Sequence, residues 1–245
     1  MNMKHAVVTI LCIFSQAVFG STAIPDTAVS ACQLKPSRWA DISSPLPGVV
    51  SKVFVKQGAA VKQGDALIGL DSREESSLLR LAEERSKFAQ RKLSRNIIIK
   101  DSGLLPEQDA DELETESKLA QLEAEQLQNR IDRSTIKSPF SGIVVRLNTE
   151  IGEKVSDEPL LSVANLEKLH AEIVIDADWY RQAQTGDLLA IIIQGRENAV
   201  YGKIKTIDPL IDSASHTFTV IAELDNRMND LIAGQRCGLA TLNET

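Results

Sequence analysis

A pattern used twice constrains this chain more than anything else in it. Residues Ile42 to Leu70 recur without a gap as Ile136 to Ala164. At a constant offset Ile42, Ser44, Pro45, Gly48, Val50, Gly58, Val61 and Leu67 meet Ile136, Ser138, Pro139, Gly142, Val144, Gly152, Val155 and Leu161. Turn glycines kept in register argue for one supersecondary unit built twice. Each copy carries a β-branched stretch, such as Val49 to Val55, punctuated by glycines at hairpin positions. A copy of about thirty residues has too little apolar surface to stand alone, so two copies facing each other are expected to close one core. In the second copy Asp157-Glu158-Pro159 replaces Gln63-Gly64-Asp65, and a different turn is expected there.

Between the copies lies a charged, Leu/Ala/Glu-rich insertion that reads as two helices. Ser72 is placed as the first N-cap, with Glu74 and Glu75 in the first turn, where carboxylates favour the positive helix end. Leu79, Ala82, Ser86, Ala89, Leu93 and Asn96 step by threes and fours along the first helix. Leu113, Ser117, Ala120, Ala124, Leu127 and Ile131 do so along the second, a coiled-coil register whose small residues let antiparallel helices approach closely. Gly103 stops one helix and Pro106 starts the next. Each would run to roughly 40 Å. Ile97, Ile98, Ile99, Leu104 and Leu105 gather at the tip, and an apolar tip in water reads as an interaction site. The other reading, a solvated spacer, stays open at this point.

The first residues read as a secretory signal over 1–23: Lys4 and His5, an apolar stretch from Ala6 to Phe19, then small residues at Ser21-Thr22-Ala23. That stretch is shorter than the roughly 20 residues a membrane span needs. After removal of the signal two cysteines remain, Cys32 and Cys237. Export allows a disulfide between them; two separate part-buried thiols are the other reading, and Val29-Ser30-Ala31-Cys32 adds a lipobox-like string. Residues 24–40 read as a polar lead-in with at most one short strand. After the second copy, strands are expected at Leu169 to Ile175, Leu188 to Ile193, Tyr201 to Ile207, Thr217 to Leu224 and Cys237 to Leu242, with a short helix at Asp176 to Gln184. Strands at that spacing suggest a small antiparallel barrel or sandwich, and a strand from the lead-in would bring Cys32 near Cys237.

The formal net charge of −7 and the absence of a long basic run argue against a nucleic-acid surface. No catalytic constellation emerges, and the chain reads as no enzyme. His170 and His216 show no spacing to Cys, Asp or Glu that marks a metal site and read as ordinary strand or loop histidines. Only Met228 lies outside the signal, so a methionine-based copper or silver site has no support. Gly103, Gly195 and Gly202 are isolated and form no phosphate loop. The fold class is mixed α and β, elongated and multidomain. It comprises a split β-sandwich at 41–71 and 135–165 that resembles a lipoyl domain, a coiled-coil hairpin at 72–134, and a small antiparallel β-barrel or sandwich at 166–245 that takes its first strand from 24–40.

The glycine and valine framework resembles the biotinyl/lipoyl carrier domain, in which a lysine on the hairpin joining the halves carries a cofactor. Here Ser72 to Thr135 occupies that place, and no Met-Lys-Met or Asp-Lys turn remains, so no cofactor is expected. The whole order resembles the periplasmic adaptor family, also called membrane fusion or haemolysin-D-like proteins. The resemblance rests on Ser44-Pro45-Leu46-Pro47-Gly48, Val55 to Leu67, Ile136 to Val144, Ile207-Asp208-Pro209, Thr217 to Val220 and Ala233-Gly234. It implies a non-enzymatic periplasmic protein that bridges an inner-membrane transporter, of the RND type rather than the ABC type, and an outer-membrane channel. It also implies ring assembly of identical copies and a channel-docking tip at Arg95, Ile99, Leu104, Leu105 and Pro106. The family's Arg, Leu and Ser spacing falls on Arg95, Ile99 and Pro106, so Pro106 departs by removing a hydroxyl. Readings in other classes are a biotinyl/lipoyl-type carrier or enzyme-accessory protein, and a periplasmic scaffold without a channel partner.

Overall fold

The computed structural model describes residues 28–101 and 105–240. The expected signal at 1–23, Gly103 and Leu104 lie outside the described residues. In chain order the strands and helices are β1 (Val29–Ser43), β2 (Gly48–Val53), β3 (Ala60–Val61), β4 (Ala66–Leu70), α1 (Arg73–Asp101), α2 (Glu107–Arg133), β5 (Thr135–Lys137), β6 (Gly142–Leu147), β7 (Lys154–Val155), β8 (Pro159–Asp176), β9 (Leu188–Ile193), β10 (Val200–Ile207), β11 (Thr217–Asp225) and β12 (Cys237–Leu239). The chain forms two compact units. One comprises Pro36–Leu169 with Asn226–Leu231, and the other the described residues up to Lys35, His170–Asp225 and those from Ile232.

In the first unit the repeat becomes a reciprocal exchange of strands. β2 pairs with β4 of its own copy and with β7 of the other, while β6 pairs with β8 of its own copy and with β3 of the other. The turns interlock in the same way: Gly58 N donates to Val144 O and Gly152 N donates to Val50 O, each at 2.8 Å. Both glycines hold positive φ, +83° and +92°, which explains why the repeat keeps them. Gly142 is kept for another reason, since a Cβ there would stand 2.4 Å from the Ala164 carbonyl oxygen on β8. The resulting core mixes the copies, with Val50, Val61, Leu67 and Leu70 packed with Val144, Val155, Leu161 and Val163. Leu67 and Leu161 are wholly buried, a contribution of about 2 kcal/mol each.

The helices start and stop on named groups. Ser72 holds the N-cap position, its carbonyl accepting from Ser76 N at 2.9 Å, while the side chain bonded to the first turn is that of Asp71, whose Oδ1 accepts from Arg73 N at 3.1 Å. An aspartate can reach forward over that turn when the chain leaves β4 extended. α2 begins after Pro106 and ends at Ser134, whose N–H and Oγ both bond back to its last carbonyls. Leu70 N then donates to Ser134 O at 2.8 Å, tying the end of α2 to β4.

The second unit is antiparallel, in the order β12-β9-β10-β11-β8. Its buried residues alternate as a half-covered sheet requires: Ala171, Ile173 and Ile175 on β8, Leu189, Ile191 and Ile193 on β9, Phe218, Val220, Ala222 and Leu224 on β11. β1 adds Cys32 and Leu34 to these buried positions and meets the far end of the chain: Gly234 N donates to Leu34 O at 2.7 Å, Gln33 bridges to Arg236, and Cys32 is disulfide-bonded to Cys237.

Three local expectations need correction. The lead-in forms part of one 15-residue strand, because pairing with β8 carries β1 through the polar Ser37-Arg38-Trp39. The end of the second copy and the strand expected from Leu169 are one 18-residue strand, with no glycine or proline between Leu160 and Asp176 to break it. The helix expected at Asp176 to Gln184 is only a 3-10 turn at Ala177–Trp179, where Tyr180 N and Gln182 N bond back three residues.

Candidate functional site

The helices pack antiparallel, as three cross-helix ion pairs show: Arg130 to Glu75 at 3.4 Å, Arg85 to Glu123 at 3.4 Å and Lys92 to Glu116 at 2.7 Å. Between them Ala82, Ser86, Ala89, Ala110 and Ser117 are buried, and Leu79, Leu93, Leu113, Leu127 and Ile131 are half-buried. Small residues at the centre of a seam allow the backbones to come close, with leucines closing its edges. At the root, Arg73 grips both oxygens of Asp71 through Nε and Nη2, the closest contact being 2.6 Å. That fork holds the Asp71 carboxyl below its ordinary value and raises the Arg73 guanidinium.

At the other end Glu107 and Asp109 stand in the first turn of α2, where carboxylates favour the positive helix end. Arg95 and Pro106 are exposed and Leu105 is half-buried. Ile99 lies in α1, but its side chain is outside the described residues, and so is the whole of Leu104. Their neighbours Ile97 and Ile98 are exposed, Ile98 to 72%. Two adjacent isoleucines held in a helix and exposed to water are poor for propensity and hydration alike.

Sequence reasoning missed a second apolar surface. Leu78, Leu81 and Phe88 on α1, and Leu119 and Leu122 on α2, are exposed. Phe88 lies between Arg85 and Lys92, and Leu119 between Glu116 and Glu123. Because those charges pair across the helices, Phe88 and Leu119 share one flank. The available signal was a set of leucines off the seam positions, which seam counting passes over.

The histidines have neighbours that their spacing does not reveal. His170 Nε2 lies 3.9 Å from Glu223, which also binds Lys205 at 2.7 Å. His216 Nε2 lies 3.8 Å from Asp178. The junctions between hairpin and repeat, where a carrier domain would present its lysine, hold Asp71, Ser72, Ser134 and Thr135.

A family model described as the CzcB-like barrel-sandwich hybrid domain matches residues 38–165, more than half of the chain. The chain belongs to this family. A barrel-sandwich hybrid is what the exchanged strands of the two copies build, and the match runs across the helical insertion as well. Among relatives, a nickel-cobalt-cadmium resistance protein, NccB of Alcaligenes xylosoxydans xylosoxydans, is 23% identical over 230 residues, covering 88% of this chain and 57% of that protein. The toluene efflux pump periplasmic linker protein TtgD of Pseudomonas putida is 25% identical over 139 residues, covering 56% of this chain and 36% of that protein. The chain thus spans about half the length of the first curated relatives it matches. Among solved structures, a MacA-MexA chimera containing the Pseudomonas aeruginosa MexA α-hairpin domain superposes with a TM-score of 0.78 at 18% identity, covering 87% of this chain and 78% of that one. At that identity the likeness establishes the fold.

Proposed function

We propose that this chain is a periplasmic adaptor of a tripartite efflux or secretion system, linking an inner-membrane transporter of the RND type to an outer-membrane channel. The observation that carries the reading is a two-helix hairpin rooted in the barrel-sandwich hybrid and ending in exposed isoleucines beside Arg95. A hairpin that served only as a solvated spacer would have no use for isoleucine at its end. The coiled-coil hairpin is the docking arm, and Arg95, Ile99, Leu104, Leu105 and Pro106 are its channel contacts. The exposed flank of Leu81, Phe88 and Leu119 supports side-by-side association of copies into a ring. The family membership supports a non-enzymatic role. The names of NccB and TtgD point to unlike cargoes, metal ions and toluene, so adaptor work is the part of the reading they support together.

The test is export in cells carrying the assembled system. Arg95→Asp and Ile99→Asp place a carboxylate in an apolar interface and are expected to lower export roughly tenfold each, about 1.4 kcal/mol of lost docking, with the protein still exported and folded. Unchanged export in both variants would remove the docking role from the tip.

A further inference from the structure

The end of β8 and the start of β11 are neighbours in the second unit, and their junction gathers Asp176, Asp178 and His216. One donor atom from each lies within 4.8 Å of the others. We propose that these three residues form a binding site for a divalent transition-metal ion of the zinc, nickel and cobalt class.

The chemistry of the donor set selects the ion. One imidazole nitrogen and two carboxylates suit borderline divalent ions, whereas calcium and magnesium take all-oxygen sites and copper(I) takes thiolate or thioether sulfur. Two carboxylates and a neutral imidazole also balance the ion's charge. A four-coordinate ion with donors at about 2.1 Å holds them roughly 3.4 Å apart. His216 Nε2 and Asp178 Oδ1 stand at 3.8 Å, and the widest separation in the set is within 4.8 Å, so closure needs about 1 Å of side-chain rotation. Both side chains can make it, since Asp178 is 85% and His216 68% exposed.

The backbone beneath these side chains is fixed. Ala177 N donates to His216 O at 2.9 Å, clamping the 3-10 turn to the loop that bears the histidine. Asp178 N donates to Asp176 Oδ1 at 2.9 Å, orienting that carboxylate while leaving its second oxygen for an ion. Asp212 Oδ1 accepts from Ala214 N at 2.8 Å and Ser215 N at 3.0 Å, which sets the loop just before His216. Tyr180 packs edge-on against the buried Phe218 with ring centroids 5.1 Å apart, anchoring the turn to β11. Three protein donors leave at least one coordination position for water or a donor from a partner, as in metal sites that exchange or react and unlike closed structural sites. Its exposure fits an ion taken up from solvent and given up again.

The experiment titrates tag-free, EDTA-treated mature chain with zinc chloride and nickel chloride by calorimetry in a non-coordinating buffer, following the imidazole resonances by NMR. One saturable equivalent is expected, with the His216 ring shifting. His216→Asn keeps a residue tolerant of the positive φ of 55° found there while removing the imidazole. It and Asp178→Asn are each expected to weaken binding at least about tenfold. His170→Gln is expected to leave it unchanged. Absence of saturable binding below millimolar metal would overturn the proposal, as would equal affinity in His216→Asn and Asp178→Asn folded as shown by circular dichroism.

Discussion

Asp41 on β1 accepts a 2.6 Å hydrogen bond from Ser162 Oγ and one of 3.0 Å from Trp39 Nε1, and the Arg146 guanidinium lies 5.7 Å from the centre of the same tryptophan ring. The Ser162 bond, then the Trp39 bond, then the charge of Arg146 hold this carboxyl below its ordinary value of 3.8. A carboxylate whose folded pKa is depressed stabilises the fold above its unfolded value and loses that contribution as pH falls through the folded one. Thermal melts are therefore expected to drop as pH is lowered below about 4. Asp41→Asn is expected to melt lower than the parent at pH 7 and to lose less on acidification; parallel curves for the two proteins would contradict this. Some acid sensitivity remains in the variant, because Glu153 and Asp212 are also depressed, each chiefly by backbone N–H donors. This cluster was closed to sequence reading. Ser162 occupies in the second copy the place of Ile68 in the first, and a buried hydroxyl there makes sense only once β1 and Asp41 are known to lie alongside.

What was legible at the scale of elements follows from how local the cause is. The repeat announced its strands because turn glycines and alternating valines act within a few residues, and β2, β3 and β4 have counterparts in β6, β7 and the opening of β8. The helix faces were legible for the same reason: the residues stepping by threes and fours are the ones buried or half-buried between α1 and α2. Strand length was not legible, because nothing local tells β1 or β8 to continue; their pairing with each other does, across more than a hundred residues of chain. The Asp176, Asp178 and His216 grouping failed for that reason too. Two of its members are near neighbours in sequence, and the third arrives only because β11 lies beside β8. The flank formed by Phe88 and Leu119 needed the helix pairing before it could be seen as one surface.

Across the whole molecule, the longest covalent link is the bond between Cys32 and Cys237, separated by 205 residues with their Cα atoms 4.8 Å apart. Closing a loop of that length restricts the unfolded chain by about 5 kcal/mol in the chain-entropy account. Titration of unfolded, unreduced, exported protein is expected to find no free thiol, and reduction is expected to lower the melting temperature; two free thiols would contradict the bond. The parity of cysteines after the signal made this pairing thinkable from sequence, while the meeting of β1 with Gly234, Gln235 and Arg236, just ahead of β12, supplies its geometry. In the proposed adaptor role the tip of the arm would touch an outer-membrane channel. A photo-crosslinking residue placed at Ile98 in cells with a working export system tests this most directly, with Glu83, exposed in the middle of α1, as the control position. Capture of an outer-membrane channel protein from position 98 and not from position 83 is the predicted result, and export proceeding with no such capture at position 98 would contradict the account.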